Sequence, residues 1–204
     1  MNAYKITHFV SVSEYEPFQT RFGGQPDWLT SPEWPVSAAW DDRPMKFIGQ
    51  VRLDEWHEDV NSIRMAYIFL TQPEDRQDTF FDPDIIYPYE GENAVIIQAE
   101  GNIPSCISIR EHVTGPTTDE QSIWIPQVKQ VTEGHTSSFE EIDIDKFGGI
   151  PACIQGSPIE EHDYLLLQLH TNWLPFYINA GGAPTMFVYL KETKHEGYII
   201  VEDT

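Results

Sequence analysis

The chain is poor in cysteine and in positive charge. Its 204 residues include two cysteines, Cys106 and Cys153, and their separation matches no zinc-binding or redox spacing. Lysine and arginine together number 12, against 33 aspartates and glutamates, which gives a formal net charge of −21. Such a chain repels phosphate groups, which argues against nucleic acid or an anionic membrane as a partner. A basic protein, a basic peptide or a metal ion would be attracted, although acidity that serves only solubility remains an alternative.

Long apolar runs are also missing. None approaches the ~20 residues of a membrane-spanning helix. Residues 1–8 contain no apolar core followed by a small-residue cleavage site, so a signal peptide is not expected. We therefore expect a soluble, cytoplasmic protein.

Familiar catalytic and metal-binding motifs are absent. There is no Gly-x-Ser-x-Gly elbow, and none of the seven histidines belongs to a metal-type pair. The densest polar cluster, at residues 160–163, falls on an expected exposed turn, where neighbouring side chains rarely converge on one ion. We expect no catalytic residue, no metal site and no cofactor. With 33 acids present, however, the sequence leaves open a carboxylate pair of the kind a hydrolase uses.

One short phrase occurs twice. Residues 21–26 read Arg-Phe-Gly-Gly-Gln-Pro, and residues 146–151 read Lys-Phe-Gly-Gly-Ile-Pro. Two similar segments follow each copy: 47–51 and 67–70 after the first, and 165–169 and 187–190 after the second. Corresponding residues are 125 positions apart in the phrase, 118 in the first segment and 120 in the second. Consecutive glycines permit positive φ, and the following proline fixes the chain direction. The repetition predicts one duplicated domain, 1–204, with repeats at roughly 20–98 and 145–204 around one core and a pseudo-twofold axis.

The remaining pattern is mainly that of β-strands. Apolar or alternating segments rich in branched and aromatic residues, bounded by turn formers, predict strands at 47–53, 63–70, 94–98, 103–109, 123–131, 164–170, 185–190 and 198–201. A short helix is predicted at 53–60, with Asp54 as its cap.

Most of the chain resembles the YwqG-like family of bacterial proteins of unknown function. The residues that carry the resemblance are at 21–29, 33–35, 44–51, 65–70, 91–98, 147–151 and 155–156. A related phrase occurs in programmed cell death protein 2, whose relatives act as binding chaperones for a basic ribosomal protein. The resemblance implies a mostly β, duplicated fold, and it supplies no catalytic residue.

Two acidic loops and one tryptophan are the candidate contacts for a basic partner. Trp28, Trp34 and Trp40 recur at six-residue intervals and form either a core lid or an interface anchor. The favoured function is a non-catalytic protein that masks a basic partner, in particular an immunity protein against a bacterial toxin. A chaperone for a basic protein and a carboxylate-dependent hydrolase are the alternatives. The partner-binding candidates are Asp75, Asp78, Asp82, Asp84, Glu140, Glu141, Asp143, Asp145 and Trp40.

Overall fold

The computed structural model is a mainly β protein, as the sequence predicts. It describes residues 1–56, 62–73, 82–134, 144–153, 162–182 and 184–202. The strands are β1 (Asn2–Val12), β2 (Arg21–Phe22), β3 (Trp34–Val36), β4 (Lys46–Arg52), β5 (Met65–Leu70), β6 (Asn93–Gln98), β7 (Ser108–Arg110), β8 (Ile123–Thr132), β9 (Lys146–Gly148), β10 (Tyr164–His170), β11 (Thr185–Leu190) and β12 (Gly197–Glu202). Short 3-10 turns lie at Leu53–Glu55, Pro83–Ile86 and Thr171–Trp173.

Ten of these strands close into an antiparallel barrel. Their order is β1–β8–β2–β4–β5–β6–β12–β11–β10–β9, and β9 pairs again with β1. The long pair β1–β8 closes one side, and a single pairing of Gly197 with Val95 joins β12 to β6 on the other. Strands β3 and β7 form a separate two-stranded sheet.

Apolar side chains fill the barrel and also cover part of its outside. Every residue of β5 is buried, because one face lines the barrel and the other lies under a second, aromatic cluster. That cluster contains Trp34 and Phe69, and Trp28 packs against it. The continuous apolar run of β5 is therefore typical of a strand buried on both faces.

Two local predictions are wrong. The segment 103–109 is extended only at its end, because a turn with a bond from the Ile107 N–H to the Pro104 carbonyl (2.9 Å) precedes β7. Asp54 does not cap the turn Leu53–Glu55; its carboxylate instead accepts from the Arg52 guanidinium, at 2.8 Å from Nη2. Residues 57–60 of the predicted helix lie outside the described residues.

The two Phe-Gly-Gly turns have the same backbone conformation. Gly23 and Gly24 have φ of +71° and +64°, and Gly148 and Gly149 have φ of +64° and +79°. These values lie in the left-handed region, where side chains are strained. The repeated glycines are thus explained by backbone geometry.

The same hydrogen bonds support both turns. In each copy a buried glutamine accepts from the residue after the proline and donates to the carbonyl two residues before the phrase. The distances are 2.9 and 3.0 Å for Gln50, and 3.1 and 2.9 Å for Gln168. Register shifts also occur at matching places in β4 and β10. These shared features support the predicted duplication, which stays a prediction.

Candidate functional site

Two loops form an exposed face that combines aromatic rings with carboxylates. We call it the acidic-aromatic face and define it by the exposed residues Trp40, Asp41, Asp42, Asp84, Tyr87, Tyr89 and Glu90. The first three follow β3, and the other four precede β6. The face therefore depends on contacts between two segments that are about 40 residues apart in sequence.

A buried carboxylate holds the two loops together. Glu92 is fully buried; it accepts from the Ser37 hydroxyl at 2.7 Å and from the Ala39 N–H at 2.9 Å. The Ala38 N–H donates to the Gly91 carbonyl at 3.2 Å. A buried charge of this kind is tolerated only when its oxygens are hydrogen-bonded. These bonds fix the loop that carries Trp40 against the loop that carries the tyrosines.

Asp82 supports the face from beneath. Its Oδ1 accepts from the Asp84 N–H at 2.9 Å, which caps the turn Pro83–Ile86, and its Oδ2 accepts from the indole N–H of Trp40. Asp82 is 6 % exposed, whereas the Trp40 side chain remains 42 % exposed. Of the two candidates in this loop that the structure describes, Asp82 positions the ring and Asp84 faces solvent.

The face already holds cations of the chain itself. The Lys191 ammonium lies 5.1 Å from the centre of the Tyr89 ring and 2.7 Å from Glu196. The hydrogen bond that Lys191 donates to the Glu196 carboxylate raises the pKa of Lys191 above its ordinary value. The Arg110 guanidinium pairs with Asp42 at the other side of the face. A lysine or arginine of another protein would be bound in the same two ways, over an aromatic ring or in an ion pair with a carboxylate.

The sequence did not single out Tyr87 and Tyr89. They are 57 % and 43 % exposed, on the loop that hydrogen bonds hold against the loop of Trp40. The sequence feature that could have indicated them is the run Tyr-Pro-Tyr-Glu at residues 87–90. Aromatic residues beside proline and acidic residues are typical of a loop, where their rings are less often buried than in a strand. Tyrosine is enriched at interfaces, where its ring is apolar and its hydroxyl polar.

Asp145 lies elsewhere, in a pocket of about 390 Å³ lined also by His8, Phe9 and Trp173. One carboxylate oxygen accepts from the His170 N–H at 2.7 Å. Burial raises the pKa of Asp145 to about 6, although that hydrogen bond acts in the opposite direction. The other acidic candidates, Asp75, Asp78, Glu140, Glu141 and Asp143, lie outside the described residues.

The raised pKa of Asp145 predicts a pH-dependent effect of Asp145→Asn. The folded-state pKa of about 6 exceeds the usual 3.8, so the stability contributed by the protonated carboxyl is complete below about pH 4 and is lost as the pH rises through about 6. Asparagine keeps an acceptor for His170 and carries no charge. At about pH 7.5 the variant should be more stable than the wild type by about 2 kcal/mol, and near pH 4 this gain should disappear.

Urea unfolding at the two pH values measures this effect. Asp84→Asn is the matched control, because it removes an exposed carboxylate, and it should change stability little at either pH. An Asp145→Asn protein less stable than the wild type at neutral pH would contradict the assignment.

Cys106, Cys153, Trp28 and Trp34 pack against or within the apolar clusters. Trp34 is fully buried and donates to the Met45 carbonyl at 2.8 Å, while Trp28 lies 4.9 Å from Tyr67, ring centre to ring centre. Burial raises the pKa of the Cys106 thiol, which disfavours a reactive thiolate.

The described residues provide neither a membrane-spanning helix nor a cluster of metal ligands. None of their helices has the length and apolarity of a membrane span. Their histidine, cysteine and acidic side chains form no group of three or more that could hold a metal ion. Comparison with models of known families gives no match for this chain, and comparison with curated proteins gives none.

Proposed function

We propose that this protein binds and masks a basic partner protein without catalysis, and that the acidic-aromatic face makes the contact. The observation that carries the proposal is that two loops held together by hydrogen bonds carry three exposed rings and four exposed carboxylates. The chain's net charge of −21 would attract a cationic protein from a distance. The rings would then supply the contact area that slows dissociation.

The two parts of the face have different roles. Carboxylates at a rim mainly raise the association rate, because long-range attraction guides the encounter. Aromatic side chains that become buried contribute most to affinity, and a cation over a ring adds about 0.5–2 kcal/mol. Trp40 is the principal anchor we propose, since the Asp82 carboxylate already fixes its orientation.

Neutralisation of a bacterial toxin is the specific role we favour. Toxins that act on nucleic acids are commonly basic, and YwqG-like proteins are sometimes found beside toxin genes. A chaperone for a basic protein uses the same physical chemistry, and the distant resemblance to programmed cell death protein 2 favours it. A toxin-like reading frame next to the gene would support immunity over a chaperone role.

A hydrolase remains the alternative from another class. The raised pKa of Asp145 is the observation that favours it, because a buried carboxyl with a pKa of about 6 can act as a general acid. Among the described residues that line its pocket, Asp145 is the single carboxylate. A glycosidase-type mechanism needs a second, so the binding function accounts for more of the structure.

Co-purification from the native cell tests the proposed function. Tagged wild-type protein should retain a basic protein at low salt and release it at high salt, because screening shortens the field to about 8 Å at physiological ionic strength. A Trp40→Ala variant is the comparison: it should recover much less of the same protein while it stays folded. Recovery of no basic protein, or equal recovery by the Trp40→Ala variant, would contradict the proposal.

A further inference from the structure

A groove of about 430 Å³ lies beside the second Phe-Gly-Gly turn and shares no lining residue with the acidic-aromatic face. Gly149, Ile150 and Leu165 lie along it, and Tyr4, Trp56 and Tyr189 contribute aromatic rings. Trp56 is held there by stacking on Phe147, with ring centres 4.2 Å apart. The groove is therefore an apolar, preformed cleft bordered by the edge of β10.

In the first repeat the chain itself fills the corresponding place. The segment 113–119 runs parallel to β4 and pairs with Phe47. The Phe47 N–H donates to the Pro116 carbonyl at 2.9 Å, and the Thr118 N–H donates to the Phe47 carbonyl at 2.9 Å. The Gly24 N–H donates to the Asp119 carbonyl at 2.8 Å. The segment thus adds a short extended strand between the Gly-Gly turn and the edge of β4.

Side chains of the turn also hold this segment. The Gln25 side chain exchanges two hydrogen bonds with the backbone of Gly115, at 2.9 and 3.0 Å. The indole of Trp28 donates to the Val113 carbonyl at 3.0 Å. In the second copy of the phrase, Ile150 and Cys153 stand where Gln25 and Trp28 stand in the first. Ile150 has no polar side-chain atom, and the Cys153 thiol lies 3.6 Å from the Tyr189 hydroxyl, so the two hydrogen bonds of Gln25 and the one of Trp28 have no direct counterpart in these two side chains.

Leu165 occupies the register position of Phe47. Phe47 lies opposite Phe69 just before the register shift in β4, and Leu165 lies opposite Tyr189 just before the shift in β10. Within the six ranges that the structure describes, no loop segment forms bonds to Leu165 like those that 113–119 forms to Phe47. The second repeat therefore presents a groove and a strand edge where the first repeat has a bound extended segment.

We propose that this groove binds an extended segment of a basic partner protein, which adds as a short parallel strand to the edge of β10. Main-chain bonds to Leu165 and apolar contacts with Ile150 and Tyr4 would supply the affinity. This is strand addition at a sheet edge, a common mode of peptide recognition. The internal segment 113–119 is the template for the geometry.

Charge favours a basic occupant over a second copy of this chain. Two copies would each bring a net charge of −21 and would repel each other. Of the charged groups near the groove, Asp163 accepts from the Tyr198 hydroxyl at 2.8 Å and the Lys194 ammonium lies 4.7 Å from the centre of the Tyr164 ring. The net charge of the chain therefore carries the argument for a basic occupant. The inference rests on the proposed function only for the charge of the partner, and the residues that line the groove are not those of the acidic-aromatic face.

The test uses a peptide with the sequence of residues 113–118, flanked by two lysines at each end. Titration into the isotopically labelled full chain should shift the backbone amide signals of Gly149, Ile150 and Leu165 and leave those of Tyr87 and Tyr89 unchanged. Dissociation constants of about 10–100 μM are expected for so short a segment. A scrambled peptide of the same composition controls for charge alone.

A backbone change in the peptide isolates the strand-like bond. N-methylation at the position of Thr118 removes the N–H that would donate to the Leu165 carbonyl, and it should weaken binding about tenfold. N-methylation at the position of Thr117, whose N–H points away from the strand edge in parallel pairing, is the matched control and should have a much smaller effect.

The variant that tests the groove is Ile150→Trp, whose larger side chain fills the cleft. The control is Val113→Trp, at a residue of the segment 113–119 that is 63 % exposed. We expect the first to abolish peptide binding and the second to preserve it, with both proteins folded by thermal melting. If Ile150→Trp does not fold, the comparison of the two N-methylated peptides with the wild-type protein tests the proposal without it. The proposal would be overturned if the peptide did not bind at millimolar concentration or if its shifts were confined to the acidic-aromatic face. Equal binding of the scrambled peptide, or equal effects of the two N-methylations, would also overturn it.

Peptide binding at the groove would persist even if Trp40→Ala left partner recovery unchanged. Failure of the groove and failure of the proposed function are therefore distinguishable.

Discussion

Gly149→Ala is expected to destabilise the fold by about 3–5 kcal/mol. A Cβ at this position would lie 2.4 Å from Oε2 of Glu133 and 2.6 Å from the Cβ of Ala3, and the backbone has a φ of +79°. Both contacts are shorter than real Cβ atoms tolerate. The left-handed φ adds about 1–2 kcal/mol of strain by itself.

Glu133 cannot move aside cheaply. Its Oε1 accepts from the Lys146 ammonium at 2.7 Å and its Oε2 accepts from the Ile150 N–H at 2.7 Å. The Lys146 side chain is fully buried, and it also donates to the Ile150 carbonyl. A buried ion pair that loses its geometry leaves two desolvated charges, which costs several kcal/mol. The steric effect of one methyl group is therefore transmitted to the whole turn.

Two neighbouring glycines provide the controls. In Gly148→Ala the new Cβ would lie 3.5 Å from the Asn2 carbonyl oxygen, an ordinary contact, and the backbone φ is +64°. Only the backbone strain of about 1–2 kcal/mol is therefore expected. Gly134→Ala meets nothing within 4 Å and should change stability by less than about 1 kcal/mol. Urea unfolding followed by tryptophan fluorescence measures all three. Equal losses at Gly148 and Gly149 would contradict the packing described for Glu133.

Local sequence patterns predict the turns and most strands, because they reflect local physics. Paired glycines indicate positive φ, and apolar runs such as 65–70 indicate buried strands. The first strand, β1, was not predicted because its burial alternates only weakly, and its partners lie more than 100 residues away in β8 and β9. Closure of the barrel depends on these long-range pairings and on the contact between β6 and β12, which no local pattern contains.

The candidate site was predictable in composition and less so in detail. Acidity follows from residue types, whereas the sequence leaves Trp40 as part of either a core lid or an interface anchor. In the structure Trp40 is exposed, and its indole and the Asp84 N–H both donate to the Asp82 carboxylate. A sequence does not distinguish an exposed carboxylate from one that caps a turn, as Asp82 does, or from one that is half-buried, as Asp145 is. Those differences arise from tertiary contacts that bring Trp40 and His170 to these acids.

The acidic-aromatic face should control how fast the basic partner associates. Asp41→Lys, Asp84→Lys and Glu90→Lys together reverse three exposed charges on this face. Glu14→Lys, Glu16→Lys and Glu120→Lys reverse three exposed charges outside it, so that both triple variants have the same net charge. Local charge steers an encounter more strongly than net charge does, and the first variant should therefore associate about tenfold more slowly at low salt, while the second should change the rate less than about threefold.

The decisive measurement is the association rate constant of the co-purified partner with wild type and both triple variants, by stopped flow over a range of salt concentrations. We predict a wild-type rate that falls steeply with salt, a shallow dependence for the variant of the acidic-aromatic face, and near wild-type behaviour for the control variant. Thermal melting checks that all three proteins remain folded. Equal rates for the two variants, or a wild-type rate independent of salt, would contradict recognition of a basic partner by this face.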